Sequence, residues 1–595
     1  MNTTILTCLF LLAAPAARPL DAAPSETDRS PVDLVLSPDN NWLITVNQTA
    51  DSISLVNVAQ GTVAAELPCG HHPAAIAFST DGRRVAVTAT YAGSLELFDF
   101  ADGRLSPAGS IELGFHPVGV VISQDGRTAY VALEAAAAVA VVDLEARRLI
   151  DRIAVGRWPR WLALSPDGSR LAVGTSGDQS ISVVDTASRQ MVFQERLQGI
   201  NVGQLVPSAD GKYVYFPWMV YRQNPIDARN IQSGWVLGSR IARVRLDESA
   251  RREAMTLDER GKAVADPHGI GLTSDEQWLV ASAAGTHELL VYHLPDLVFQ
   301  AYGGPGDHID PALGHDDSRY YRVPLGGRPL GLRIAKDNRR VFVANYLENS
   351  VQVVDLAARQ VARTISLGGP ANPSLVRRGE AIFYDARRSL DQWYSCHSCH
   401  HEGGTNATVM DTLNDGTIRT YKTVLPLFNV ARTAPWTWHG WQKDLGAAMR
   451  KSLIDTMMGP PPSDEDVTAL VAFFSSHETP PNPNCAADGR LSPAAERGAT
   501  VFQSAKAGCA KCHRGECWTD GEIHDVGLGS PRDEYEGFNT PSLIGLYQRV
   551  RFLHDGRSKT LDQLLTGPHS PDKVTGRGDL TDAERADLIE YLKTL

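Results

Sequence analysis

The first two-thirds of the chain repeats one pattern of polar and apolar positions. A short polar turn precedes a run of apolar or small residues, and a second run follows in which apolar and polar residues alternate. Both runs predict β-strands, because successive side chains of a strand point to opposite faces. Aspartate followed by glycine or asparagine, as in most of the turns, predicts a tight hairpin with a positive φ angle. The turn aspartates are Asp39, Asp81, Asp125, Asp167, Asp210, Asp275 and Asp337.

The spacing of these turns predicts the fold of residues 33–368. Successive aspartates lie 42, 44, 42, 43, 65 and 62 residues apart. A repeat of about 40 residues with several short strands is typical of β-propeller blades. We therefore predict an all-β, seven-bladed propeller. The segments SPDG, YVAL, VFVAN and VQVVDL resemble the YVTN family of β-propellers, which implies the same fold.

Two of the predicted blades carry insertions, near residues 217–240 and 303–322. Both insertions are rich in Trp, Tyr, His and Asp. Long loops on a rigid scaffold often carry function. Two interpretations stay open: the insertions contact the C-terminal region or a partner protein, or they have no specific role.

From residue 370 onwards the apolar spacing becomes helical. Two halves, 370–482 and 485–595, follow one plan. Each begins with a helix-capping residue followed by proline and ends with a capped amphipathic helix. We predict two small all-α domains, so that the whole chain is a multi-domain protein.

Length and charge narrow the class of protein. A chain of 595 residues is too long for one hydrophobic core, and its formal charge of −12 argues against a nucleic-acid binder. The apolar run near the N-terminus ends in small residues and predicts a cleaved signal peptide over residues 1–22. No later stretch approaches the ~20 apolar residues that a transmembrane helix needs. We expect an exported, periplasmic protein without a transmembrane segment.

The motif C-x-x-C-H occurs twice, at residues 396–400 and 509–513. This is the attachment sequence of c-type haem, in which both thiols bind the porphyrin and the histidine binds iron as proximal ligand. The alternative is a zinc site or a disulfide, and two copies in equivalent surroundings favour haem. The predicted attachment residues are Cys396, Cys399, Cys509 and Cys512. The predicted proximal ligands are His400 and His513.

Three further cysteines remain in the predicted mature protein. Cys485 and Cys517 flank the second motif, and in an oxidising compartment they could pair or stay free. Cys69 would then be a lone thiol.

A short sequence that recurs before the propeller turns contains histidine in three blades. Corresponding residues of successive blades form a ring, so His72, His116 and His268 are expected to lie near the propeller axis. Such a ring could bind a metal ion or simply cap the axis. The different residues at equivalent places in other blades favour capping.

The C-terminal segments RGATVF, CAKCHRG, HDVG, FNTPSLIGLY and FLHDGRSKTLDQLL resemble the bacterial di-haem cytochrome c peroxidase and MauG superfamily. This resemblance covers about 220 residues. It implies two haem c groups, one for electron transfer and one where peroxide reacts, and a calcium ion commonly between them. The resemblance identifies no catalytic side chain beyond the haem ligands, so the catalytic residues stay unknown.

The resemblance also directs attention to the sixth iron ligands. The family's second haem often takes a methionine beyond the His-Asp-Gly histidine. Residues 565–569 contain no methionine, and His569 is the candidate instead. In the first half the corresponding segment offers Met457 and Met458, for which apolar packing is an equal explanation, and Met458 is retained as a candidate ligand.

Other aromatic residues of this region have two interpretations each. His439 and His554 could bind iron, but hydrogen bonding near a haem carboxylate or at an interface is favoured. A cluster of tryptophans could relay electrons between haems, although packing is favoured. The cluster consists of Trp436, Trp438 and Trp441.

Together these patterns predict a periplasmic di-haem oxidoreductase whose propeller docks a redox partner, such as a small cytochrome or cupredoxin, or a protein substrate. A distal glutamate and a histidine loop of the peroxidases have no counterpart here. This absence favours the alternative, a non-enzymatic electron-transfer module with both haems six-coordinate. A third hypothesis, a propeller with its own lactonase-like or copper chemistry, requires a metal in the histidine ring.

Overall fold

A computed structural model of the chain describes residues 26–300, 308–486 and 489–595. Seven antiparallel sheets follow one another between Pro31 and Ser366. Six have four strands in sequential order, and the fifth sheet has one additional short strand. The predicted seven-bladed propeller is therefore confirmed. The predicted signal peptide, residues 1–22, lies outside the described residues.

The strands are distributed blade by blade along the chain. Blades one to three consist of β1 (Pro31–Leu36), β2 (Trp42–Asn47), β3 (Ser52–Asn57), β4 (Thr62–Pro68), β5 (Pro73–Phe78), β6 (Arg84–Ala89), β7 (Ser94–Ala101), β8 (Arg104–Glu112), β9 (Pro117–Ile122), β10 (Thr128–Leu133), β11 (Ala138–Asp143) and β12 (Arg148–Ala154). Blades four and five consist of β13 (Pro159–Leu164), β14 (Arg170–Thr175), β15 (Ser180–Asp185), β16 (Gln190–Arg196), β17 (Gly199–Ile200), β18 (Val206–Pro207), β19 (Tyr213–Tyr221), β20 (Leu237–Arg245) and β21 (Glu253–Thr256). Blades six and seven consist of β22 (Pro267–Leu272), β23 (Trp278–Ala283), β24 (Glu288–His293), β25 (Tyr320–Pro324), β26 (Pro329–Ile334), β27 (Arg340–Asn345), β28 (Ser350–Asp355) and β29 (Gln360–Ser366).

The predicted turns join the first two long strands of each blade. In blade four, Ser165 Oγ donates to Asp167 Oδ1 at 2.6 Å, and Gly168 has a φ angle of 74°. The residue after the turn aspartate has a positive φ angle in all seven blades, as the sequence pattern predicts. Hydrogen bonds from the turn lower the pKa of every one of these aspartates.

The region after the propeller is helical, as predicted. Its longer helices pair in each half, α3 with α6 and α7 with α10. A Cβ atom on Gly379 or on Gly498 would lie 2.0 Å from a carbonyl oxygen of the partner helix, so both pairs require glycine at the crossing. Helices of the whole chain are α1 (Ala228–Gln232), α2 (Pro311–Gly314), α3 (Leu375–Phe383), α4 (Cys396–Cys399), α5 (Leu445–Lys451), α6 (Asp464–Ser475), α7 (Pro493–Gln503), α8 (Leu561–Thr566), α9 (Pro571–Thr575) and α10 (Asp582–Leu592). Four short strands complete this region: β30 (Val409–Met410), β31 (Lys422–Thr423), β32 (Ile523–His524) and β33 (Phe538–Asn539).

The first insertion joins the propeller to the helical region. Apolar side chains around α1 share one core with α3 and α6, and Ile226 N–H donates to Asp411 O at 2.8 Å. The described part of the second insertion packs mainly within blade six, and its His308 ring lies 6.4 Å from the Trp393 ring. The first insertion therefore contacts the C-terminal region extensively, whereas the second contributes mainly to its own blade.

Among the residues that the structure describes, no helix combines the length and the apolar composition required to cross a bilayer.

Candidate functional site

The first C-x-x-C-H motif forms α4 and lies beside a large cavity. Ser395 caps this helix, and the Ser395 N–H in turn donates to Ser398 Oγ at 3.0 Å. Both cysteines and His400 line the first cavity, which has about 2010 Å³ of space counting its open mouth. His400 Nδ1 lies 2.9 Å from Leu425 O. An Nδ1–H bond to this carbonyl leaves Nε2 free to bind a metal.

The second motif has a similar arrangement. Cys509 begins a single 3₁₀ turn, Cys509–Lys511, and Cys512 follows the turn. Both cysteines line a second cavity of about 1470 Å³, counting the open mouth. His513 Nδ1 lies 3.2 Å from Trp518 O, so Nε2 is again left for a metal. His569 lines the same cavity. The sequence candidates for the second haem are therefore assembled around one space.

Burial favours the neutral form of three cavity imidazoles, those of His400, His513 and His569. It lowers the pKa of His400 and of His513 to about 4, and it also lowers the pKa of His569. Neutral imidazole is the form that binds a metal ion. His569 Nδ1 is buried without a hydrogen-bond partner in the structure. Paired thiols, an oriented imidazole and an adjoining cavity fit the requirements of haem c at each motif.

The methionine candidates of the first half occupy different positions. Met457 lines the first cavity, and its Sδ lies 3.7 Å from Cys396 Sγ. It follows a π-helical turn, Ser452–Thr456, that continues α5. Met458 has a φ angle of 50° and packs against the neighbouring core, and it is not among the described residues that line the first cavity.

The histidines and tryptophans between the halves lie at the boundary of the cavities. His439 lines the first cavity, with Nδ1 2.7 Å from Gly537 O, whereas His554 lines the second. Trp438 lines both cavities, and its Nε1–H donates to Thr423 O at 2.8 Å. The other two tryptophans of the cluster line the first cavity. Trp438 is therefore the member that reaches both candidate haem sites.

The propeller directly holds the first motif. Asp266, which precedes β22, is buried and accepts hydrogen bonds from Ser395 Oγ and Ser398 Oγ at 2.6 Å each. Asn201 Nδ2 donates to Ser398 O at 2.8 Å. Three propeller-to-motif hydrogen bonds thus fix the segment that carries Cys396 and Cys399.

A charged cluster extends from the same motif to the propeller. His397 Nε2 lies 2.9 Å from Glu402 Oε1, and Arg328 Nη2 donates to the same oxygen at 2.5 Å. Arg160 contacts His401. His397, His401 and Glu402 are close enough to share a metal ion. The positive charges of Arg328 and Arg160, which contact this cluster, would repel a bound cation. We therefore interpret the cluster as a hydrogen-bonding network between the propeller and the helical region.

The predicted histidine ring lines an axial cavity between the propeller and the helical region. This cavity has about 2500 Å³ of space, counting its open mouth, and contains His72, His116 and His268 in its wall. Within residues 26–300, 308–486 and 489–595, these three histidines do not converge as a metal-binding group. His116 Nε2 instead lies 2.8 Å from Pro481 O. These contacts favour the capping interpretation over the metal site.

Several of these residues were not singled out by the sequence patterns. Asp266 immediately precedes the Pro267-His268 pair of the ring pattern, and Arg328 occupies an equivalent place in blade seven. The one sequence feature that could have identified them is a polar residue directly before the first strand of a blade. That feature does not reveal their contacts, which are with residues far along the chain.

The remaining thiols stay separate. Cys485 is exposed and Cys517 is buried, and neither forms a disulfide in the structure. Cys69 is partly buried and also free. The unpaired interpretation of the two flanking cysteines therefore holds.

Comparisons with known proteins find two haem-protein family models, one for each of the two segments that contain a C-x-x-C-H motif. The family model described as "Di-haem cytochrome c peroxidase" (CCP_MauG) matches residues 373–478, and the model described as "Cytochrome c" matches residues 495–595. Hydrazine synthase subunit gamma of Kuenenia stuttgartiensis is 27% identical over 281 residues, covering 38% of this chain and 79% of that protein. Methylamine utilization protein MauG of Methylorubrum extorquens is 26% identical over 280 residues, with the same two shares, 38% and 79%.

A solved structure of Kuenenia stuttgartiensis hydrazine synthase is also similar. It superposes with a TM-score of 0.50 at 23% identity, covering 57% of this chain and 99% of that chain. This likeness concerns the fold alone. From its blades and its two matched domains, the chain is a seven-bladed β-propeller joined to a region of the di-haem cytochrome c peroxidase and MauG type, and it is a haem oxidoreductase.

Proposed function

We propose that this protein is a periplasmic oxidoreductase that carries two haem c groups. Cys396 and Cys399 would hold the first haem, and Cys509 and Cys512 the second. The observation that carries this proposal is the repeated arrangement of two cysteines and one oriented histidine beside a cavity. When bound, haem supplies one-electron chemistry at iron, and the protein controls its ligands and access.

The proximal ligands are His400 and His513 in this proposal. Each is neutral because of burial, and each directs Nδ1 towards a backbone carbonyl. Such a bond fixes the ring orientation and increases the basicity of the ligating nitrogen.

The two haems are proposed to differ in their sixth position. His569 would close the second iron, since its buried Nδ1 lacks a protein partner and its ring lines that cavity. The first cavity is the larger of the two, and its sixth-ligand candidates are thioether side chains, because the His439 imidazole in its wall is directed by Nδ1 to Gly537 O. Met458 remains a candidate ligand there, and Met457, beside the attachment cysteine, is the better placed of the two. We assign electron transfer to the second haem and ligand access to the first.

Trp438 is proposed to carry electrons between the two haems. It is the tryptophan that lines both cavities, and a single hydrogen bond to Thr423 O fixes its indole. Packing remains the second role of the same residue. Replacement by phenylalanine preserves most of the packing, so a slower electron exchange in Trp438→Phe would separate the roles.

The propeller is proposed to dock the redox partner or a protein substrate on a face away from the helical region. Its axial end is covered by residues of the helical region, including Pro481 and Glu402. A small basic cytochrome or cupredoxin suits a chain with a formal charge of −12. We expect a rate of electron transfer that falls with ionic strength.

The decisive experiment is EPR spectroscopy of the purified holoprotein, first fully oxidised and then reduced by one electron. Covalent haem is quantified beforehand by the pyridine haemochrome assay, with two haems per chain expected. A high-spin ferric signal in either state supports the enzyme. Two low-spin signals in both states would support the alternative, an electron-transfer module with two six-coordinate haems.

A calcium ion between the haems stays a prediction from the family resemblance. Elemental analysis of the holoprotein after extensive dialysis tests it directly, with two iron atoms and one calcium atom expected. Iron without calcium would refute this part of the proposal and leave the haem assignment intact.

A further inference from the structure

Arg549 lies where all three cavities meet. It follows the short helical turn Leu546–Gln548 and contributes to the walls of the first, second and axial cavities. Pro426 also lines all three. Arg549 therefore places a guanidinium group at the junction between the two candidate haem sites.

Among the residues that the structure describes, this guanidinium has no anionic partner. Its Nη2 donates to Ser542 O at 2.8 Å, and its Nε–H is buried without any partner in the structure. Burial lowers the pKa of Arg549 to about 10. Four other arginines with little side-chain exposure are each paired with a carboxylate: Arg240 with Asp258, Arg322 with Glu288, Arg328 with Glu402 and Arg377 with Glu380. Arg252 is an exception, and its guanidinium lies against the Trp218 ring. Arg549 is partly exposed where it lines the three cavities, so the surroundings of its guanidinium have room for an anion, and an enclosed charge without such a partner is costly.

The backbone on both sides of Arg549 is held by the propeller. Trp158 Nε1 donates to Gln548 O at 2.9 Å, and Arg157 Nη1 donates to Val550 O at 3.0 Å. These bonds link blade four to a segment almost 400 residues away in the chain. The position of the guanidinium is thus determined by contacts from both parts of the protein.

From this geometry we infer that Arg549 binds carboxylate groups of the haems at the junction of the two cavities. This inference rests on the proposed binding of haem c. Haem carries two carboxylates, and arginine binds such groups through paired, charge-assisted hydrogen bonds. A positive charge beside the haem favours the reduced iron, which has one positive charge fewer. Arg549 therefore raises the reduction potential of at least one haem and keeps the paired carboxylate ionised.

The test is a potentiometric titration of the full-length holoprotein between pH 5 and pH 8. We expect Arg549→Met to reduce the equilibrium constant for reduction of one haem at least tenfold at pH 7, which is 59 mV for one electron. Its potential should fall as pH rises, because an unpaired carboxylate titrates in this range. Arg549→Lys keeps the charge and should stay close to the wild-type protein.

Arg252→Met is the matched control. Arg252 is also buried, its Nε–H has no partner in the structure, and it lies against Trp218 in the propeller, outside the three cavities. We expect its two haem potentials to equal those of the wild-type protein at every pH. If Arg549→Met fails to fold, Arg549→Gln retains polar contacts without the charge and replaces it in the comparison.

Three outcomes would overturn the inference in different ways. Unchanged potentials in a charge-removing variant that contains two haems mean that Arg549 binds no haem carboxylate. A saturable shift of the wild-type potentials by formate at constant ionic strength means that the anion is a free molecule entering the junction. Absence of covalent haem from the wild-type protein means that the proposed function itself fails.

Discussion

At the scale of single residues, burial decides which histidines can serve as iron ligands. His400 and His513 are neutral and directed by carbonyl groups, whereas His569 has a buried nitrogen without a partner. The local C-x-x-C-H motif identified His400 and His513, whereas the family resemblance directed attention to His569. The missing partner of His569 became visible only once residues 509–513 and 569 were brought to one cavity.

We predict that His569→Ala opens the second iron. The low-spin EPR signal assigned to this haem should disappear and a high-spin signal should replace it, because a protein ligand is lost. His477→Ala is the matched control, since His477 is also buried with an unpartnered ring nitrogen but lines the axial cavity. An unchanged low-spin signal in His569→Ala would reject this ligand.

At the scale of elements, short local patterns determined the turns and most helix ends. The start of α3 is an exception, because Ser374 caps that helix and not the predicted Asn372 before Pro373. The hydrogen bond between Ser165 and Asp167 recurs in blades one, two, three and five, with distances of 2.5 to 2.7 Å. The capping boxes at Ser463 and Thr581 formed as their spacing indicated. These features depend on neighbours within a few residues, which is why the sequence sufficed.

The turn aspartates should make the propeller sensitive to acid. Turn hydrogen bonds lower the pKa of Asp167 to about 2 and lower that of Asp81 and Asp125. Their stabilisation is present above the unfolded pKa of about 3.9 and is lost as pH falls through the folded pKa. We expect the triple variant with asparagine at these positions to be less stable at pH 6 and less dependent on pH between 4 and 2, measured by thermal unfolding. Equal pH dependence in both proteins would contradict this account.

The attachment helix α4 should depend on the propeller. Asp266→Ala removes the acceptor of two buried hydroxyl groups and should lower the free energy of unfolding by about 1–3 kcal/mol. Mass spectrometry of tryptic peptides should find less haem on the first motif and unchanged haem on the second. Asp99→Asn, at an exposed position of the propeller, serves as the control. Full haem occupancy of both motifs in Asp266→Ala would show that the propeller does not hold α4 for attachment.

At the scale of the whole molecule, the propeller and the helical region form one structure. Side chains around α1 complete the core of the first helical half, and the axial cavity is enclosed by both parts. Separate domains joined by a linker would have explained the sequence equally well. The first insertion and the contacts around the axial cavity determine which face of the propeller meets the helical region.

A charge in this shared core should uncouple the two parts. Ile231 is fully buried, and Ile231→Asp should cost about 3–5 kcal/mol because the new carboxylate has no partner. We expect two calorimetric transitions in place of one, with the helical region unfolding first. Met191→Asp, on an exposed strand, should keep the wild-type transition. A single transition in Ile231→Asp at unchanged temperature would contradict the shared core.

The sequence alone determined the seven blades, the two helical halves, the two attachment motifs and His569 as a candidate ligand. All of these except His569 follow from short-range spacing, since strand alternation, turns, caps and C-x-x-C-H motifs are local. His569 was identified from the family resemblance. Only the tertiary structure decided three features. These are the hydrogen bonds of Asp266 to the first motif, the position of Trp438 between both cavities, and the placement of Arg549 at their junction without a carboxylate partner. Those properties arise from contacts between segments distant in the chain, such as Asp266 with Ser395 and Trp158 with Gln548. Their energetics depend on burial and on partners that no local pattern records.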